Sequence, residues 1–231
     1  MILTNQLYEL DYLPKGIIFD CDGVLFDSKA ANVKYYNLIR QAFSLPPLNR
    51  EEENYVHTHS VYESLARILP DIALGKVKEV VQKLDYRQLY PYLNMAVGLI
   101  DLLLFLKRKK IRLAINTNRT NTMGDILAYY KLSSFFQPVI TANKVACPKP
   151  HPESVNLILA KWKVRPREVA YIGDSVLDEE CARASKVHFW SFQNPELSAE
   201  LLITDFYALK GMIQKSWPEL KINIEKPRLV D

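Results

Sequence analysis

Two short acidic motifs hold the side chains in this chain that are best suited to chemistry. Asp20 ends the apolar run Gly16–Asp20 and is followed two residues later by Asp22. Asp174 and Asp178 stand after a second run of this kind. Such runs are typical of buried strands in a parallel sheet, and ligands bind beyond the carboxyl ends of those strands. The four carboxylates are therefore expected at one crevice.

Each motif also has a plain structural explanation. Asp22 before Gly23 suits a turn, and Asp174 and Asp178 suit the first turn of a helix. If Asp20, Asp22 and Asp174 converge, however, their repulsion must be offset, because two unit charges about 4 Å apart repel by about 4 kcal/mol at an effective dielectric near 20. Mg²⁺ relieves that repulsion, since it is usually held by carboxylates, waters and a substrate phosphate. The acids therefore indicate a magnesium and phosphate site.

Two further segments could hold the phosphate. Thr117 and Asn118 follow the predicted strand Ile111–Asn116 and offer a hydroxyl and a backbone N–H at the same edge of the sheet. Lys149 lies between two prolines, which restrict its backbone and can fix the direction of its ammonium group. An isolated threonine is usually a helix cap and an isolated lysine a solvated charge, so each is a weak signal alone.

The elements that must position these residues alternate in type along the chain. Short apolar runs predict strands at Gly16–Asp20, Ile111–Asn116, Pro138–Thr141, Val169–Gly173 and Val187–Phe192. Helical spacing predicts helices at Ala96–Lys109, Thr122–Lys131, Pro152–Trp162, Asp178–Ser185 and Pro195–Ile203. This alternation predicts an α/β fold with one Rossmann-like, mostly parallel sheet covered by helices on both faces.

The segment from Ser28 to Met95 departs from that alternation. It shows no convincing strand, and helical spacing recurs at Lys29–Phe43, Val61–Leu69 and Val77–Leu89. We therefore expect a helical domain at residues 28–95, inserted into an α/β core made of residues 1–27 and 96–231.

Composition excludes several classes of protein. The 231 residues are 48% hydrophobic and 24% charged, which is typical of a globular chain and not of a disordered one. A net charge of +4 is far from the basic stripe of a nucleic-acid binder, so no nucleic-acid partner is expected.

The most apolar stretch, Val97–Leu106, is too short to span a membrane. Cys21, Cys147 and Cys181 are widely separated, and the first residues do not resemble a signal peptide, which together predict a cytoplasmic protein.

Four motifs, taken in order, resemble those of the haloacid dehalogenase superfamily. The stretches Asp22–Ser28 and Lys149–Glu153 are similar to the group that contains phosphoglycolate phosphatases and β-phosphoglucomutases. That group carries a helical cap inserted just after the first motif, which would be residues 28–95. The similarity covers about Lys15 to Phe192. The four motifs are Asp20-Cys21-Asp22-Gly23-Val24, Thr117, Lys149 and Gly173-Asp174-Ser175-Val176-Leu177-Asp178.

The resemblance implies roles for the residues that match these motifs. Asp20 would attack phosphorus and form an aspartyl-phosphate, and Asp22 would act first as an acid and then as a base. Thr117 and Lys149 would hold the phosphoryl oxygens, and Asn118 would be a further substrate contact.

The resemblance also implies Mg²⁺ as the cofactor. The ion would be held by the Asp20 carboxylate, the backbone carbonyl of Asp22 and the Asp174 carboxylate. Asp178 would act on the ion through a water or through its neighbours.

The implied activity is the Mg²⁺-dependent hydrolysis of a small phosphorylated metabolite, either phosphoglycolate-like or a sugar phosphate. Dehalogenases of the superfamily lack the second acid, Asp22, and phosphonate-cleaving relatives replace it with a small residue, so a phosphate substrate is favoured. A phosphomutase and a non-catalytic phosphate-binding scaffold are the alternative functions. The resemblance is compatible with either a monomer or a homodimer.

Within the insertion, His57 and His59 could contact the substrate. The favoured interpretation is that they are solvent-exposed residues of the cap.

Overall fold

The computed structural model describes residues 13–58 and 61–216. Within them the strands are β1 (Gly16–Phe19), β2 (Phe26–Asp27), β3 (Asn94–Met95), β4 (Arg112–Thr117), β5 (Val139–Thr141), β6 (Val169–Gly173), β7 (His188–Phe192) and β8 (Leu201–Ile203). The α-helices are α1 (Lys29–Ala42), α2 (Arg50–Thr58), α3 (Val61–Ile68), α4 (Asp71–Leu74), α5 (Val77–Lys83), α6 (Leu99–Arg108), α7 (Met123–Tyr129), α8 (Glu153–Trp162), α9 (Val176–Ser185) and α10 (Phe206–Ser216). Short 3₁₀ segments lie at Tyr86–Tyr92, Ala142–Lys144 and Pro166–Glu168.

Six of the strands form one parallel sheet in the order β5-β4-β1-β6-β7-β8. Side chains alternate between its two faces, as the geometry of a strand requires. Ile17 and Phe19 pack with α6, α7 and α10, whereas Ile18 packs with α8 and α9 on the opposite face. Because both faces are covered, the central strand β1 is buried and apolar along its whole length. The predicted α/β fold with a parallel sheet is confirmed.

The five predicted strands of the sheet are confirmed to within one or two residues at their ends. The helix predicted at Pro195–Ile203 is wrong, because the structure has β8 at Leu201–Ile203 instead. Leu201 and Ile203 are buried while Leu202 is exposed, which is the period of two that belongs to a strand. This short segment pairs with β7 at the edge of the sheet.

The helices that follow β2 have a cluster of buried apolar residues of their own. Tyr36 and Ile39 of α1 pack there with Val56 of α2 and Ile68 of α3. One departure from prediction is β3, which pairs antiparallel with β2 where the chain enters and leaves this helical segment. The division into a core and an inserted domain at residues 28–95 stays a prediction.

No helix in the described part of the chain combines the length and the apolar character needed to cross a bilayer.

Candidate active site

Asp20 and Lys149 form a buried ion pair at the carboxyl edge of the sheet. Asp20 directly follows β1 and is only 6% exposed. Lys149 Nζ lies 2.7 Å from Asp20 Oδ1 and 2.7 Å from Asp178 Oδ1. Burial opposes the positive charge of Lys149, but the two carboxylates outweigh it and raise the pKa of Lys149 above its ordinary value. The lysine therefore remains a cation between two acids.

Asp178 is held by hydrogen bonds on both carboxylate oxygens. Its Oδ1 accepts from Lys149 Nζ at 2.7 Å and from the Tyr171 hydroxyl at 2.9 Å. Its Oδ2 accepts from the Ser175 hydroxyl at 2.5 Å and from the Ser175 backbone N–H at 3.2 Å. Ser175 is also the N-cap of α9, so the start of this helix fixes the acid. With these oxygens engaged, Asp178 is suited to orienting Lys149 rather than to binding an ion.

Asp174 approaches the turn after β1 at a point where only glycine fits. Gly23 has a φ of +75°, and a Cβ atom there would collide with the Asp174 carboxylate. On its other side, the backbone carbonyl of Asp174 accepts a hydrogen bond of 2.8 Å from Asn194 Nδ2. Gly23 therefore allows the two acidic motifs to meet, as expected from their positions after two strands of one parallel sheet.

The donor set at this point fits a magnesium ion. Carboxylate oxygens of Asp20 and Asp174 lie within 4.8 Å of each other, and within that distance of an oxygen of Asp178, whose carboxylate is already engaged by hydrogen bonds. Burial, reinforced by the charge of Asp178, raises the pKa of Asp20 above its ordinary value and that of Asp174 to about 6. Asp20 Oδ1 is buried, and Lys149 Nζ is its one close polar partner among the described residues. Crowded, desolvated carboxylates of this kind suit a hard cation that prefers oxygen ligands.

Asp22 points away from that cluster toward Arg119, a residue that we did not identify from the sequence. Arg119 Nη2 donates to Asp22 Oδ1 at 2.6 Å, and Arg119 Nε donates to Asp22 Oδ2 at 2.7 Å. Burial disfavours the charged guanidinium, but the carboxylate outweighs it and the pKa of Arg119 is raised. The sequence offered one indication of this role. Arg119 is a cation that directly follows Asn118, at the same strand end as Thr117, the predicted phosphate ligand.

Thr117 and Asn118 lie at the end of β4, next to this ion pair. Thr117 Oγ1 accepts a hydrogen bond from the Arg119 backbone N–H at 3.2 Å. Asn118 exchanges two hydrogen bonds with the backbone of Lys149, donating to its carbonyl at 3.2 Å and accepting from its N–H at 3.1 Å. Asn118 thus anchors the loop that carries Lys149, and its predicted contact with substrate stays a prediction.

Apart from Asp178, which is fully buried behind Lys149, the predicted site residues of the core line one cavity of about 790 Å³. The side chain of His57 and the whole of His59 lie outside the described residues, so their predicted contacts stay predictions. The residues that line the cavity include Asp20, Asp22, Thr117, Asn118, Arg119, Lys149 and Asp174.

The chain is similar to known hydrolases over most of its length. The family described as haloacid dehalogenase-like hydrolase matches residues 17–192. A solved hydrolase of this superfamily, subfamily IA, from Geobacter sulfurreducens is 33% identical, with a TM-score of 0.80 over 87% of this chain and 96% of that one. The resemblance predicted from the four motifs is confirmed.

Two curated relatives extend the comparison. The phosphoglycolate phosphatase of Rhodobacter capsulatus is 27% identical over 219 residues, which cover 86% of this chain and 96% of the relative. The phosphorylated carbohydrates phosphatase of Thermotoga maritima is 24% identical over 177 residues, which cover 75% of this chain and 82% of the relative.

Proposed function

The chain belongs to the haloacid dehalogenase-like hydrolase family, and we propose that it is a Mg²⁺-dependent phosphatase that hydrolyses a small phosphorylated metabolite through an aspartyl-phosphate. The observation that carries this proposal is the pairing of buried Asp20 with Lys149 at 2.7 Å, in a cavity that also contains Asp22. Such an arrangement combines a nucleophile, a cation for the transferred phosphoryl group and an acid. The printed names of the two curated relatives support a phosphorylated small molecule as substrate.

Asp20 is the proposed nucleophile. One of its carboxylate oxygens bonds to phosphorus while the bond from phosphorus to the ester oxygen breaks. Asp22, once it has released one of its two hydrogen bonds to Arg119 and taken up a proton, gives that proton to the departing oxygen, which leaves as an alcohol. Lys149 favours the ionised form of Asp20 and attracts the phosphoryl oxygens, so positioning and charge supply most of the catalysis.

Hydrolysis of the intermediate reverses the role of Asp22. The ionised Asp22 takes a proton from water, whose oxygen bonds to phosphorus. The bond between phosphorus and Asp20 then breaks, which releases phosphate and restores the carboxylate. Thr117 accepts from a backbone N–H, so its own hydroxyl hydrogen is available to a phosphoryl oxygen.

Mg²⁺ would be held by the carboxylates of Asp20 and Asp174 and by the backbone carbonyl of Asp22. When bound, it supplies positive charge that offsets the negative charge of the phosphoryl group and of the acids. Asp178 would keep Lys149 in place rather than bind the ion, since its oxygens are engaged by Tyr171 and Ser175 as well as by that lysine.

The proposal is tested by the hydrolysis of a generic aryl phosphate by the purified protein. We expect turnover with Mg²⁺, loss of turnover with EDTA, and loss of turnover in Asp20→Asn. Asp101→Asn, at a half-exposed carboxylate on α6, is the matched control and should retain activity. Turnover by Asp20→Asn at the wild-type rate would exclude Asp20 as nucleophile.

The two alternatives give different results in the same assay. A phosphomutase would interconvert phosphate positions on a sugar and release little phosphate. A scaffold would bind phosphate without turnover of any ester. Phosphate release from several esters without isomer formation would exclude both.

A further inference from the structure

A second cavity, of about 710 Å³, adjoins the catalytic one. The two cavities share Asp22, Asn118 and Arg119 among their lining residues, together with Ser28 and Asn32 at the start of the helical segment. Asp22 is the proposed donor of a proton to the leaving oxygen, so a leaving group bound at Asp22 has room to extend into this second space. Its volume is within the range of pockets that enclose whole small molecules. A two-carbon leaving group would fill only a small part of it.

Tyrosine rings form one side of the second cavity. Tyr35 of α1 and Tyr86 of the following 3₁₀ segment line it with their rings stacked, their centroids 6.1 Å apart and their planes inclined by 23°. Tyr90 lines it as well, beside apolar Leu89 and Leu93. Aromatic faces of this kind pack against flat rings and against the carbon-bound hydrogens of sugar rings. The surface therefore matches a ring rather than a short open chain.

The two charged side chains that line the second cavity neutralise each other. Among the described residues that line it, Arg119 is the one cation and Asp22 the one anion, and they bind each other through two hydrogen bonds. An anionic leaving group would have to compete with Asp22 for that guanidinium. The other polar side chains are neutral, such as those of Asn32 and Gln82, and can bind hydroxyl groups.

From these observations we infer that the preferred substrate is a monophosphate whose leaving group is a neutral, ring-bearing alcohol, as in sugar or nucleoside monophosphates, and not a small carboxylate such as that of phosphoglycolate. This inference rests on the proposed phosphatase function and on the position of Asp22 in it.

The test compares kcat/KM, with Mg²⁺ present, for a hexose monophosphate, a nucleoside monophosphate, phosphoglycolate and a sugar bisphosphate, with an aryl phosphate as reference. We expect at least one ring monophosphate to exceed both phosphoglycolate and the bisphosphate by about tenfold or more. The first two substrates distinguish a sugar from a nucleoside. A higher value for phosphoglycolate or the bisphosphate would overturn the inference and leave the phosphatase function intact. No turnover of any of the five, the aryl phosphate included, would instead count against the phosphatase function.

Variants of the second cavity separate ring binding from a general loss of activity. Tyr86→Ala should lower kcat/KM for the preferred ring substrate by about tenfold, and lower it much less for phosphoglycolate, while Tyr86→Phe should restore it. Tyr62→Ala is the matched control, because Tyr62 is 84% exposed and lines neither cavity. Equal losses on both substrates, or no loss on either, would contradict the inference.

A substitution that fills the second cavity also compares the ring substrate with phosphoglycolate, and it does so without removing a packed side chain. Gln82 is an exposed residue that also lines the second cavity. Gln82→Trp should reduce turnover of the ring substrate and affect phosphoglycolate less. The reverse order would overturn the inference even if Tyr86→Ala proved unstable.

Discussion

Arg119 binds both carboxylate oxygens of Asp22, at 2.6 Å through Nη2 and at 2.7 Å through Nε. A guanidinium that binds a carboxylate in this two-pronged way fixes its orientation as well as its charge. In the described structure Asp22 lines both cavities with both of its oxygens accepting from Arg119, so it must release one of these hydrogen bonds before it can carry a proton to a leaving group.

Arg119→Ala should slow the hydrolysis of alkyl phosphates by about tenfold to a hundredfold, because Asp22 would lose its orientation and general acid catalysis is typically worth ~10²–10⁴-fold. Aryl phosphates should be affected less, since an aryl oxygen leaves without needing a proton. The measurement is kcat/KM for both substrate types in the wild type and the variant, because it reports the steps up to the aspartyl-phosphate and leaves out the later base role of Asp22. Arg165→Ala is the control, at an exposed ion pair elsewhere. An equal loss on both substrates would show that Arg119 does not act through Asp22.

Gly23→Ala should displace Asp174 and weaken Mg²⁺ binding, because the new Cβ would collide with the Asp174 carboxylate and the backbone φ of +75° disfavours a side chain. We expect activity to fall by about a hundredfold at limiting Mg²⁺. The checks are the Mg²⁺ concentration for half-maximal rate and calorimetric Mg²⁺ binding. Gly124→Ala, a position on α7 with open space around it, should stay active and gain up to about 1 kcal/mol of stability. Unchanged Mg²⁺ binding in Gly23→Ala would contradict the site.

Lys149→Met should abolish turnover and lower the free energy of unfolding by about 3 kcal/mol or more, since Asp20 and Asp178 would lose the cation between them. Denaturant unfolding of the two proteins at neutral pH measures the difference. Lys144→Met, at an exposed lysine near the same loop, should unfold like the wild type. A variant of Lys149 with wild-type stability would show that the buried acids do not depend on this lysine.

The contribution of Asp174 to the stability of the metal-free protein should fall as pH rises from about 3.8 to about 6, because burial raises the pKa of Asp174 from 3.8 in the unfolded chain to about 6 in the folded one. Between these two pH values the folded state holds a proton on Asp174 that the unfolded chain has released. The stabilisation that this proton gives is therefore complete below about pH 3.8 and lost above about pH 6. Mg²⁺ should raise the unfolding temperature mainly above about pH 6, where Asp174 is ionised. Comparison of wild type with Asp174→Asn isolates this group. A difference between the two that does not change with pH would refute the assignment.

Much of the sheet and of the acidic cluster could be predicted from the sequence. The strands β1, β4 and β6 each contain a short buried apolar run, and polar residues stand at or directly after their carboxyl ends. Because a parallel sheet brings such ends together, the sequence predicts Asp20, Thr117 and Asp174 at one edge.

The parts that could not be predicted depend on contacts between distant loops. The pair of Asp22 with Arg119 joins residues 97 positions apart, and no local pattern encodes which carboxylate a loop arginine will meet. β8 was mistaken for part of a helix because its two buried residues, Leu201 and Ile203, are too few to establish a period. The stacked rings of Tyr35 and Tyr86 likewise come from separate segments of the helical insertion.

The nucleophilic role of Asp20 is best tested by trapping the phosphorylated protein. The enzyme is mixed with radiolabelled substrate and Mg²⁺, quenched in acid within a single turnover, digested and mapped by mass spectrometry. We expect the label on the peptide that contains Asp20, specifically on that residue, and none in Asp20→Asn. A label on another residue, or single-turnover phosphate release with no labelled protein at any time point, would contradict an aspartyl-phosphate at Asp20.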